Sequence, residues 1–135
     1  MRREDWPERL AAVIEAAQQR PFAWGRHDCC LFAADVVLCL TGQDFAAPFR
    51  GRYTTALGSK RALSRYGQGT IARTVEALLG EGIAPLSARR GDVVLADTEM
   101  GPALGVCVGA VALFAAPKGL AARDLTACRL AWRVD

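Results

Sequence analysis

The sequence predicts an α+β fold, with helices packed on a small antiparallel sheet, and three observations carry that expectation. Helical periodicity runs through the first part of the chain. Short β-rich runs separated by Gly, Pro and Asp fill the last part. The segment from Cys29 to Thr41 is apolar on nearly every side, as a helix buried between layers must be. A chain of 135 residues has room for one domain, 1–135, and buries roughly two thirds of its unfolded surface without needing a disulfide or a metal. It divides into an N-terminal helix within 1–20, a helical part with a cysteine motif over 21–80, and an antiparallel sheet over 88–135.

Asp5 is placed to cap a first helix over Trp6 to Gln18, with Pro7 in its first turn and Leu10, Val13, Ile14 and Ala17 on one face. Arg20-Pro21 ends it, because the residue before a proline is pushed out of the helical region. The central helix, Cys29 to Thr41, is interrupted only by Asp35, and Gly42 supplies its stop. A carboxylate among apolar neighbours needs a counter-charge, and Arg52 or Arg73 is the expected partner. Gln43 to Tyr53 reads as a loop, with Arg50-Gly51-Arg52-Tyr53 a solvated cluster. Thr54 or Thr55, and then Thr70, cap two shorter helices over Ala56 to Tyr66 and Ile71 to Leu79, before Gly82 and Pro85 break the pattern. Strands are expected at Asp92 to Ala96, Ala103 to Val108, Val111 to Ala116 and Leu125 to Val134, joined as a meander. Asp92 is expected to turn or cap the first of them.

Composition removes several functions. Seventeen basic residues against fourteen acidic ones leave a net charge of +3, too dilute for nucleic acid, and no basic run is interleaved with aromatics. No apolar run reaches transmembrane length. The start, Met1-Arg2-Arg3-Glu4-Asp5, has no apolar core of a signal peptide. The five cysteines are odd in number and lack paired zinc-site spacing, so they read as reduced thiols, mainly core, and no cofactor or metal is implied.

The chemistry concentrates in Pro21-Phe22-Ala23-Trp24-Gly25-Arg26-His27-Asp28-Cys29-Cys30. A turn built on Gly25 and closed by Asp28 delivers Cys29 to the first turn of the central helix, where unpaired amides and the helix dipole favour a thiolate. Asp28 opposes this by its charge. His27, the one histidine, has three readings: a base beside the thiol, a loop histidine that fixes the turn, or part of a metal set with Cys29 and Cys30. Trp24 reads as a packing anchor at the mouth of a cleft.

Trp24-Gly25 and Asp28-Cys29 before an apolar helix, then Arg90-Gly91-Asp92-Val93-Val94-Leu95, Leu104-Gly105-Val106-Cys107-Val108-Gly109 and Ala115-Ala116-Pro117, follow each other in an order that resembles the NlpC family of papain-like cell-wall cysteine peptidases. The nearest resemblance is to its compact relatives found among phage tail genes, and it spans Phe22 to Leu120. It implies a papain-like fold with Cys29 at the nucleophile position, Ala103 at the base position and Ala115 at the orienting position. A methyl group neither accepts a thiol proton nor holds an imidazole. The serine and glycine that follow the family's cysteine are Cys30 and Leu31 here.

Three functions remain open on the sequence. One is a catalytically degenerate papain-like domain acting as a structural or assembly component of a phage tail tip or baseplate, carried in the virion tail after assembly in the host cytoplasm. Its partners are other tail proteins, with cell-wall peptide as the cleft's ligand, and Phe45, Phe49, Arg50 and Arg52 are its interface candidates. The second is an active cysteine peptidase or amidase on cell-wall peptide, using His27 or a residue outside the motif register as base. The third is an unrelated binding module on the same scaffold.

Overall fold

Four helices precede a five-stranded antiparallel sheet in the computed structural model, which describes all 135 residues. The helices are α1 (Trp6–Gln18), α2 (Cys29–Thr41), α3 (Ala56–Tyr66) and α4 (Ile71–Leu79). The strands are β1 (Val93–Thr98), β2 (Gly101–Cys107), β3 (Val111–Ala115), β4 (Leu120–Asp124) and β5 (Leu130–Trp132), in the spatial order β4-β3-β2-β1-β5. No helix is long and apolar enough to cross a membrane.

Local chemistry sets the helix ends. Asp28 accepts from the Leu31 amide at 2.9 Å and opens α2, and Gly42 closes it in the left-handed region at φ 83°. Thr55 and Thr70 accept from the amides of Gly58 and Arg73 and open α3 and α4. Asp5 does not cap α1, contrary to expectation: its backbone sits at φ −91°, ψ 26°, outside the extended region a cap needs, and Arg9 captures its carboxylate at 2.8 Å.

The sheet departs further from the sequence reading. Leu125 to Val134 is not one strand: a short 3₁₀ turn over Leu125–Ala127 leads to β5, which pairs antiparallel with β1 through Val93↔Trp132 and Leu95↔Leu130. Only β1 to β4 form the meander. The unexpected β4 has no β-branched or aromatic residue, and it is a strand because it pairs with β3 from Val111↔Asp124 to Ala115↔Leu120.

Alternation along the strands sorts side chains into two cores. Val93, Leu95, Leu104 and Val106 face α1 and α2, packing against Leu10, Phe32, Val36 and Leu40. Val94, Ala96, Ala103 and Cys107 face the other way, with Ala112, Phe114, Leu125 and Ala131. Fully burying an aliphatic or Phe side chain stabilises by about 1.5–3 kcal/mol, so these two clusters hold the layers together. All five cysteines are free: Cys107 is buried in the second cluster, Cys29 and Cys128 pack against it and Cys30 against the first, so only Cys39 lies outside the two cores.

Charged groups staple the layers. Asp92, 2 % exposed, accepts from the amides of Arg89 and Val134 and from the Arg2 guanidinium, so one carboxylate joins the strand entry to both chain ends. Asp35 pairs with Arg50 at 2.8 Å and Arg20 at 3.3 Å rather than with Arg52 or Arg73. Arg50 also holds Asp44 at 3.0 Å, so it is a fixed bridge between loop and helix and not a solvated side chain.

Candidate functional site

The turn before α2 is a miniature hairpin. Ala23 and His27 exchange backbone bonds of 2.9 and 2.8 Å around Trp24, Gly25 and Arg26, with Gly25 at φ 80°. Asp28 follows in extended backbone (φ −112°, ψ −178°), and its buried carboxylate is the hub of the site. Besides capping α2, it accepts from the Gly25 amide at 3.0 Å and the Tyr53 hydroxyl at 2.6 Å. Gly51 donates to the Gly25 carbonyl at 2.8 Å, so the loop ending at Tyr53 is clasped to the turn. Burial, and then the bond to Asp28, push the Tyr53 hydroxyl far above its ordinary range, which keeps it a donor. Sequence reasoning missed Tyr53 because it lies in an irregular loop far along the chain from Asp28; its one signal is that a half-buried phenol needs a polar partner.

This hub presents Cys29 and Cys30, neighbours in the first turn of α2, with sulfurs 3.9 Å apart. Cys29 packs against the core cluster that contains Ala103, whereas Cys30 packs against the cluster around α2 and Leu104. The Cys29 thiol is held below its ordinary value chiefly because the Cys30 thiol donates to it; burial opposes this, and the Leu104 backbone amide adds to it. Cys30 is pushed well up by the same bond and by burial. The Cys29 and Cys30 backbone amides have no backbone acceptor, as befits the first turn of a helix, and the Cys30 amide instead faces the Cys29 sulfur and helps to hold its pKa down.

Both sulfurs line a cavity of about 640 Å³ between the helical part and the sheet. Its walls are mostly apolar, with Trp24, Phe45, Phe49, Tyr53, Phe114 and Pro117 among them. Trp24 stacks edge-on against Phe22 with centroids 4.9 Å apart, so it anchors the cavity mouth. Phe45 packs on the main core and Phe49 against Tyr66 at 6.1 Å, which makes both of them wall. Of the four interface candidates only Arg52 is exposed.

His27 is not part of this cavity. It is 1 % exposed, lies edge-on to Phe32 at 6.0 Å, and neither ring nitrogen has a hydrogen-bond partner. Its pKa is lowered, by burial first and then by Arg20, so it is a neutral packed ring. Ala103 and Ala115 both line the cavity but fall on opposite faces of the sheet, and Phe114, not Ala115, shares the face of Ala103. The base and orienting positions drawn from the resemblance thus do not face each other here. No group of three His, Cys, Asp or Glu side chains is placed to hold a metal.

Burying His27 as a neutral ring has a pH signature. The unfolded chain takes up a proton near pH 6.5 whereas the folded one resists it, so stability is complete above that pH and declines as pH falls below it. His27→Leu is expected to flatten that decline, measured as denaturant midpoints between pH 5 and pH 8. An unchanged slope would mean that His27 is not the group responsible.

Residues 1–134 match the family described as "Domain of unknown function (DUF6950)". No curated protein matches the chain.

Proposed function

We propose, for a chain that belongs to the DUF6950 family, that it is a catalytically degenerate NlpC-like, papain-like domain whose cleft is a binding groove, serving as a structural or assembly component of a phage tail tip or baseplate. One observation carries the loss of catalysis: the only imidazole is buried against Phe32, outside the cavity that holds the Cys29 sulfur, and the strand beside that sulfur offers Ala103 and a backbone amide. A cysteine peptidase needs a base to take the thiol proton and return it to the leaving amine, and an amine is too poor a leaving group to depart without that proton. The tail role rests on the order of motifs between Phe22 and Leu120.

The test pairs chemistry with location. Purified protein should release no more product from peptidoglycan fragments than a Cys29→Ala control, since general acid–base assistance typically contributes about 10²- to 10⁴-fold and no imidazole lines the cavity to provide it. Hydrolysis that disappears in Cys29→Ala would overturn the degenerate reading. Immunodetection on purified tails should find the chain; tails assembled normally from a phage lacking its gene would overturn the tail role.

A further inference from the structure

The cavity is built for something other than a polar peptide. A pocket of about 640 Å³ whose walls are mainly hydrophobic suits an alkyl chain, and Cys29 and Cys30 are part of its lining. The polar groups on the wall are few. Asp28 is spent on Leu31, Gly25 and Tyr53, and Glu99 pairs with Arg123 at 3.6 Å. Lys60, an exposed residue on α3, is among the lining residues and makes no ion pair, so it offers a solvent-facing cation beside the apolar wall. An apolar channel with a cation and a nucleophilic sulfur has the features of a site for an acyl chain carried on an anionic or polar thiol.

We propose that the cavity binds acyl thioesters of medium or long chain and that Cys29 takes the acyl group from them, becoming a persistent thioester. This rests on the reading of the domain as catalytically degenerate. The reaction balances without a base or an oxidant. Cys29, having lost its proton to solvent, attacks the thioester carbonyl carbon; the new S–C bond forms, the old one breaks, and the departing thiolate leaves with the electron pair and takes a proton from solvent. A thiolate, unlike an amine, leaves without protonation, so the missing histidine does not block this step. The Cys30 sulfur lies 3.9 Å away, and with the Cys29 thiol pulled down and the Cys30 thiol pushed up, Cys30 is the partner that keeps its proton beside the attacking sulfur. The Cys29 amide, which has no backbone acceptor at the start of α2, is the donor for the oxyanion formed on the way. Water would need a general base to attack the product; no imidazole lines the cavity, Asp28 is engaged by three donors and Glu99 pairs with Arg123, so the acyl group stays on Cys29.

The experiment uses the whole chain with octanoyl and acetyl thioesters of N-acetylcysteamine, followed by intact mass and peptide mapping. One octanoyl group should appear on Cys29, be released by hydroxylamine, and be absent from Cys29→Ala. The octanoyl thioester should react roughly tenfold faster or more than the acetyl one, because each methylene placed in the cavity adds binding. Ala34→Trp, from a cavity-lining position on α2, should erase that chain-length preference. If that variant does not fold, Ala56→Trp narrows the same cavity from α3. Equal rates for the two thioesters, or no adduct, would overturn the acyl site and leave the degenerate reading standing. An adduct that forms and is hydrolysed through many turnovers would overturn the degenerate reading instead, because deacylation by water would reveal a base.

Discussion

Replacing Asp28 with Ala is expected to cost about 4 kcal/mol of folding stability, a fall in Tm of roughly 15 °C for a chain of this size. Three donors lose their acceptor at once: the Leu31 amide that opens α2, the Gly25 amide of the turn and the Tyr53 hydroxyl. A lost cap alone costs about 1 kcal/mol, and each buried donor left unpaired adds about 1–3 kcal/mol. Asp28→Asn keeps an acceptor for Leu31 but turns an amide towards a second donor, so it should fall between the two. Tyr53→Phe removes only the bond to the carboxylate and should cost about 1.5–3 kcal/mol. Chemical denaturation of the three variants checks the order. If Asp28→Ala unfolds within 1 kcal/mol of wild type, the hub is decorative.

Gly25→Ala should be nearly as damaging, about 3 kcal/mol, although it adds only a methyl group. Gly25 sits at φ 80°, where any other residue is strained, and a Cβ there would overlap the Tyr53 carbonyl oxygen. The overlap is with backbone, which cannot swing aside as a side chain would. The loop from Arg50 to Tyr53 must therefore lift, taking the Gly51–Gly25 bond and the Tyr53–Asp28 bond with it. The discriminating measurement is the amide exchange of Gly51 beside that of α4. Faster exchange at Gly51 with α4 unchanged marks local unclasping, whereas no change at Gly51 would mean that the clasp does not depend on Gly25.

These two variants probe contacts that a reading of the sequence reaches to different degrees. The turn was legible, since Gly25 marks a turn and Asp28 stands immediately before an apolar helix, the position from which a carboxylate caps it. Tyr53 was not legible, because its bond to Asp28 spans 25 residues and nothing near it in sequence announces a partner. Asp35 shows the same limit: the sequence demanded an arginine for it, but Arg20 and Arg50 fill that role because the loop after α2 folds back over the helix.

The sequence by itself determined the four helices, the cysteine pair at the start of α2 and the absence of any histidine but His27. Helices are written in interactions three or four residues apart, and Thr55, Thr70, Asp28 and Gly42 act within that range. Tertiary structure alone decided the rest. β4 is a strand because β3 lies beside it, β5 crosses to the far side of β1, and Ala103 and Ala115 are divided between faces by sheet register. It also decided that His27 faces Phe32 and Cys29 faces the cavity, since the hairpin from Ala23 to His27 and the extended Asp28 aim consecutive side chains at different cores. A side chain's chemistry is local, but its partner is chosen by the packing of segments far apart in the chain.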